Sequence, residues 1–336
     1  MKAVVIDAFG GPEVLRIADA APPAVGVGQV LVRVSATSVN RPDILQREGR
    51  YSPPPGESDI LGLEIAGTIE ALGADVQGFD IGDRVLGLVG GGGYAELAAA
   101  HAGHVMRMPA GMSFAAAACI CETYITAYLN LFMTARLAAS ETALIHGGGG
   151  GVSTAAIQLC KTLNPAGRIL VTASPAKVDR VAALGADHVI DYESEDFAAA
   201  ALRYTEGRGV DVILDHIGAP YLERNLKALA VNGRLCIIAT MEGREATLDL
   251  ARLMIKRHTI AGSVLRPRPV AEKAAIVADF ERAVMPLFAE GRIAPMIDEV
   301  FAIEDVAAAH RKMEASAHFG KIVLALTSEA MRMNRT

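Results

Sequence analysis

The residues best suited to chemistry are five consecutive glycines, Gly147–Gly151. They follow the apolar run Ala143-Leu144-Ile145 and lead through Val152-Ser153-Thr154 to the apolar face Ala155-Ala156-Ile157. A strand that turns through glycines into a helix lets the backbone approach a pyrophosphate, whose charge the free N–H groups and the dipole of the helix stabilise. A flexible glycine linker would not be bracketed by an apolar strand and an apolar helix face. No lysine follows the last glycine, which excludes a Walker-type phosphate loop. The pattern points to an enzyme that binds a nicotinamide dinucleotide, with Gly148, Gly151 and Val152 among its cofactor contacts.

The strand after that helix decides which nicotinamide is used. Arg168-Ile-Leu-Val-Thr-Ala173 reads as this strand, and it continues as Ser174-Pro175-Ala176-Lys177. An enzyme that uses NAD would carry Asp or Glu here to hold the adenosine ribose hydroxyls. No acid is present. A carboxylate would repel a ribose 2'-phosphate, whereas the Ser174 hydroxyl and the Lys177 ammonium would each hold it with a charge-assisted bond of about 1.5–3 kcal/mol. NADPH is the expected cofactor.

Positioning these groups requires a parallel sheet. Residues 122–266 alternate strand and helix with short turns, the rhythm of a doubly wound α/β fold. The pattern predicts a helix from Ala176 to Leu184 ending at Gly185, a strand Asp187–Asp191 and a helix Ser194–Thr205. A strand Val210–Leu214, a helix ending near Asn232-Gly233 and a strand Arg234–Ala239 follow. Residues 1–121 are rich in Val, Gly and Pro with alternating segments such as Gln29–Ser35, which predicts a twisted, mostly antiparallel β domain. After residue 266 a long helix Val270–Glu290, a strand Val300–Ile303, a helix through His310 and a strand Lys321–Ala325 are expected. Residues 267–336 would then complete the first domain, interrupted by the nucleotide-binding one. The tail from Ser328 carries no pattern and is expected to be irregular.

Composition fits two such domains. The 336 residues are 51% apolar, enough for two cores, and the net charge of -6 argues against a basic face for nucleic acid. Met1-Lys2 leads straight into a strand-like run and no apolar stretch is long enough for a membrane span, so a soluble, cytoplasmic protein is expected. The four cysteines, Cys119, Cys121, Cys160 and Cys236, lie in apolar surroundings and read as reduced core thiols. His146 reads as a buried, hydrogen-bonded residue, and His101 and His104 as surface groups without metal. Glu64 sits among apolar residues and needs a partner, a role that an arginine could fill.

Several stretches together resemble a known family. These are Ser38–Gly56 with Asn40 and Tyr51, Leu61-Gly-Leu-Glu64, Gly82-Asp-Arg-Val85, the glycine loop, Leu184-Gly-Ala-Asp187 and Phe319-Gly-Lys-Ile-Val-Leu324. The sequence is similar to the zinc-independent medium-chain dehydrogenases/reductases, and more narrowly to the NADPH quinone oxidoreductases and their tumour-suppressor-inducible branch. This implies a Rossmann nucleotide-binding domain plus a discontinuous GroES-like catalytic domain and a homodimer or homotetramer, with Thr259–Leu265 as a candidate edge strand for pairing. It implies that Asn40 orients substrate or nicotinamide and that Tyr51 forms part of a quinone wall. It also implies cofactor contacts at Asn40, Thr126, Tyr192, Ile217, Ala239, Met241, Leu265 and Lys321, although a solvated surface lysine remains open for Lys321. The zinc ligands of related alcohol dehydrogenases, a Cys, a His and a Cys, are replaced by Asn40, Leu63 and Glu122, and the family's third loop glycine by Ser153. The expected activity is metal-free reduction of a quinone or similar electrophile by NADPH. Alternatives are an enoyl or alkenal reductase and a catalytically silent NADPH-binding protein that acts structurally or on RNA.

Overall fold

This computed structural model describes residues 1–332 of the 336. The chain divides into two compact units, one formed by Thr126–Val264 and the other by Met1–Ile125 with Leu265–Thr336.

In the Thr126–Val264 unit the apolar runs become strands of a six-stranded sheet. In sequence order they are Thr142–Ile145, Arg168–Ala173, His188–Asp191, Val210–Asp215, Leu229–Ile237 and Thr259–Gly262. Their spatial order is third, second, first, fourth, fifth, sixth, and every pairing is parallel. Strands covered on both faces read as continuous apolar runs, and Leu144, Leu170, Ile190, Ile213 and Leu235 meet Phe197 and Leu226 in one core. The winding reverses between the first and fourth strands, the place where a doubly wound sheet receives its ligand. The glycine loop leaves the first of these strands and enters the helix Gly151–Leu163.

Three local expectations are corrected. The helix expected to reach Asn232-Gly233 ends at Ala228, and a strand begins at Leu229. Asn232 takes φ +63° inside that strand, a conformation open to Asn in bulges as well as at helix ends. The helix expected from Ser194 starts at Phe197, because the Asp196 side chain caps it by accepting the Ala199 N–H at 2.8 Å. The tail from Ser328 is not irregular throughout. Ser328–Met331 forms a helical turn whose Thr327 hydroxyl accepts the Ala330 N–H at 3.3 Å, with Ala330 buried beneath it; positions 333–336 lie outside the described residues.

The other unit is built on a seven-stranded sheet. Ile297–Ala302, Lys321–Ala325, Gln29–Val39, Glu64–Leu72, Arg84–Leu88 and Val105–Arg107 lie in that order, and Leu97–His101 pairs with Gln29–Val39. All pairs are antiparallel except Ile297–Ala302 with Lys321–Ala325. Register sets the site. Val39 lies opposite Ile322 and Thr37 opposite Ile65, so Asn40, Lys321 and Glu64 fall at adjacent ends of three neighbouring strands. Asn40 also precedes the helix Arg41–Arg47, whose Pro42 is preset for a helical first turn.

Candidate active site

The glycine loop is a cradle that side chains would fill. A Cβ on Gly148 would lie 2.5 Å from Val171 Cγ1 and 2.8 Å from Val181 Cγ2, while the Gly148 N–H donates to Thr172 O at 2.8 Å. Gly147 takes φ +61°, and a Cβ there would meet the His216 ring at 2.5 Å. The helix that follows is capped by Gly150 with no side-chain partner for its first N–H groups, leaving these donors for an anion. Ser153 replaces the expected glycine and closes the loop, its hydroxyl donating to His146 O at 2.8 Å. The Lys177 side chain crosses the loop, since a Cβ on Gly149 would meet its Cδ at 2.4 Å. Ser174 hydrogen-bonds Tyr192, an exposed ring just past the third strand. These observations fit a dinucleotide with a further phosphate near Lys177.

The loop is braced from behind. His146 is fully buried, with Nε2 2.8 Å from Asn225 Oδ1 and Nδ1 3.1 Å from Thr172 Oγ1. Asn225 donates to Asp215 Oδ2 at 3.0 Å, and Asp215 Oδ1 accepts the Ile217 N–H at 2.7 Å. Since Asn225 Oδ1 can only accept, Nε2 carries the proton and the Thr172 hydroxyl donates to Nδ1. Burial pushes the imidazole down to about 3, so it is neutral and holds the loop rather than moving protons. Ile217, Ala239 and Met241 follow the fourth and fifth strands, and their loops are laced by bonds such as Met241 N–H to His216 O at 3.1 Å. Thr126 is half-buried, and its carbonyl accepts from Asn130 at 2.8 Å.

In the other unit Asn40, Glu64 and Lys321 converge, all at most 5% exposed. Glu64 Oε1 accepts from Lys321 Nζ at 3.0 Å, Asn40 Nδ2 at 3.0 Å and Ser38 Oγ at 2.5 Å, and Oε2 accepts the Glu122 N–H at 2.9 Å. Lys321 Nζ also donates to Asn40 Oδ1 at 2.5 Å. The partner of Glu64 is thus a lysine rather than an arginine, and Lys321 is a buried ion-pair member rather than a solvated one. Behind it, Asp43 accepts the N–H groups of Asn40 at 2.8 Å and Gly62 at 3.1 Å and the Tyr94 hydroxyl at 3.1 Å. Burial raises its carboxyl to about 6. Glu122 is partly buried, and burial first, then the negative charge of Glu64, raises its carboxyl to about 8. It keeps its proton at neutral pH.

Tyr51 is not joined to Asn40. Its half-buried ring lies 5.2 Å from the Arg266 guanidinium, and burial, followed by the charge of Glu122, raises its phenol. Leu265, beside Arg266, is buried. Glu122 and Arg266 were missed as site residues, as was His216 beside the loop. His216 carried a signal in its place at the end of the fourth strand, and Glu122 in standing where related alcohol dehydrogenases carry a zinc ligand.

The donors do not suit zinc. Leu63 is an apolar core residue, and an ammonium, that of Lys321, already stands among the oxygens of Asn40 and Glu64. Cys119 Sγ donates to Ala115 O at 3.2 Å, and burial raises the thiols of both Cys119 and Cys121. Among the described residues no group of three His, Cys, Asp or Glu could hold a metal. His104, expected at the surface, is buried, with Nε2 3.0 Å from Val270 O, and burial pushes it down to about 4.

Comparison with known proteins agrees with this architecture. Residues 26–110 match the alcohol dehydrogenase GroES-like domain and residues 184–324 a domain described as zinc-binding dehydrogenase. The chain is 33% identical over 330 residues to the quinone oxidoreductase of Lama guanicoe, covering 97% of this chain and 98% of that one. It is 31% identical over 347 residues to the synaptic vesicle membrane protein VAT-1 homolog of Danio rerio, covering 98% and 71%. Among solved structures, a Pseudomonas syringae quinone oxidoreductase superposes with a TM-score of 0.85 at 29% identity, covering 96% and 99%. A mycobacterial protein complexed with NADPH superposes at 0.86 with 28% identity, covering 97% and 99%. With relatives matched along nearly its whole length and a cradle shaped for a phosphorylated dinucleotide, the chain belongs to the medium-chain dehydrogenase/reductase family, in its quinone oxidoreductase group, as an NADP-binding oxidoreductase.

Proposed function

We propose that the protein reduces quinones with NADPH. The observation that supports this reading is the Lys321–Glu64–Asn40 set, a buried cluster built around an ammonium where related alcohol dehydrogenases carry thiolate and imidazole ligands. Simple carbonyls need polarisation by a metal or a placed proton donor before hydride transfer, whereas quinones are electron-poor enough to react when positioned and shielded from water. NADPH, when bound, supplies the reducing electrons; with one proton from water the balance is quinone to hydroquinone and NADPH to NADP+. Gly148, Gly151 and Val152 would hold the pyrophosphate, and Ser174 and Lys177 the 2'-phosphate. Asn40, whose amide is held in place by Lys321 and Glu64, would orient the substrate. Tyr51 would form the flat wall against the ring.

The unpaired edge strand Thr259–Gly262 supports a homodimer joined through that edge. The neighbouring helix Leu250–Lys256 exposes Leu250, Met254 and Ile255. Among the described residues no helix is long and apolar enough to cross a membrane.

The test is NADPH oxidation with a panel of quinones, enones and aldehydes, with and without a chelator. Quinone turnover unaffected by the chelator is expected. Turnover of enones alone would replace this reading with an enoyl reductase, and tight NADPH binding without turnover on any acceptor would replace it with a silent binding protein.

A further inference from the structure

Among the described residues no carboxylate pairs with the buried cation Arg266. It is 6% exposed, and its guanidinium is pinned at two of its three nitrogens: Nε donates to Gly90 O at 2.7 Å and Nη2 to Gln46 Oε1 at 2.8 Å. Both acceptors are neutral. Nη1 is buried and has no hydrogen-bond partner among the described residues. Leaving a buried donor unpaired costs about 1–3 kcal/mol, and more for a charged group, so such a group calls for an acceptor.

The acids of this unit whose charge Arg266 feels are Asp43, Glu57 and Glu122, and each is otherwise engaged. Asp43 is committed to Asn40, Gly62 and Tyr94, and Glu57 pairs with Lys273. Glu122 holds its own proton at neutral pH. Glu64, whose charge raises Glu122, is taken up by Lys321. The guanidinium carbon lies over the ring of Tyr51, 5.2 Å from its centroid.

We propose that Arg266 is a substrate-binding residue that presents Nη1 to an electron-rich oxygen, the carbonyl of a quinone and then the oxyanion that forms as it is reduced. The assignment rests on the quinone reading and adds to it the group that does the electrostatic work left undone by the absence of metal ligands: a preformed donor aimed where negative charge develops. The two pinned nitrogens hold the planar fork in place, so the third donor is ordered before substrate arrives. Tyr51 lies beside the guanidinium, which places the flat wall and the oxygen-binding donor next to each other.

The test is binding, so it does not depend on turnover. Two ligands with one ring are compared by calorimetry: 4-nitrophenolate, whose oxygen stands for the hydroquinone anion, and 4-nitroanisole, in which that oxygen is methylated. The wild-type protein is expected to prefer the phenolate about ten- to a hundredfold, the range of a hydrogen bond to a charged group. Arg266→Gln is expected to lose that preference while its NADPH affinity stays within about twofold. Arg266→Met, which leaves no polar atom unpaired, should behave the same way and decides the matter where the glutamine variant does not fold. Absence of the preference in the wild-type protein, or its survival in either folded variant, overturns the proposal. Failure of both variants to fold does so too, because the residue then belongs to the framework alone. A protein that shows the preference but turns over no quinone would retire the quinone reading and leave Arg266 assigned to oxyanion binding.

Discussion

Replacing Lys321 with Met should destabilise the sheet-based unit sharply. Lys321 and Glu64 are 3% and 0% exposed, and the ammonium is the only cation on the Glu64 carboxylate among the described residues. Removing it leaves a buried negative charge held only by Ser38, Asn40 and the Glu122 N–H. Breaking a buried pair from one side costs about 3–5 kcal/mol, which in a unit of this size lowers the melting temperature by roughly 6–20 °C. Adding Glu64→Gln removes the stranded charge while keeping an acceptor for Ser38 and Asn40, so the double variant should recover about 2 kcal/mol or more of the loss. Thermal melts of the four proteins, followed by a probe of the sheet-based unit, close the cycle. A Lys321→Met loss below about 1 kcal/mol, or a double variant no more stable than Lys321→Met, would refute the view that this pair is a tightly coupled buried unit.

Lys177→Ala should raise KM for NADPH about ten- to a hundredfold and leave NADH almost unchanged; equal losses with both would remove Lys177 from the 2'-phosphate. The Glu122 carboxyl stands at about 8 when folded against an ordinary 4.5, so the folded state binds the extra proton and stability falls as pH rises between those values. Glu122→Gln should therefore match the wild type below the ordinary carboxylate range and gain on the order of 2 kcal/mol above pH ~8, a discounted figure for a partly exposed group. Denaturation curves at acidic and alkaline pH check this, and an equal gain at both would exclude the cause. Tyr51→Ala should cut kcat/KM for quinone about tenfold while NADPH binding changes little; an unaltered quinone rate would place the ring outside the site. Met254→Glu should convert a dimer to a monomer in light scattering, and an unchanged mass would exclude the helix face beside the edge strand.

The nucleotide-binding unit was legible because its signals are local. Arg168–Ala173 forms a strand with the bounds that its apolar run suggests, and Gly148 stands where only a residue without a side chain fits. Asn232-Gly233 misled because the same dipeptide serves helix ends and bulges, and which it becomes depends on the neighbouring strand. The candidate site was half legible. Asn40 and Tyr51 stood out, but Lys321 and Glu64 are separated by 257 positions, and nothing local tells a lysine that its partner lies on another strand. Arg266 carried no signal within Leu265-Arg266-Pro267-Arg268, since its character comes from being buried without a carboxylate.

The chain of bonds from Thr172 through His146 and Asn225 to Asp215 ties together the ends of the first, second and fourth strands. It works like a brace across a doorway, with the frame squared before anyone enters. A coenzyme arriving at such a frame loses little affinity to rearranging it, and the brace is blind to which coenzyme arrives. Damage at Asn225 should therefore weaken both reduced nicotinamides alike, so the preference between them is left to the side chains at the rim.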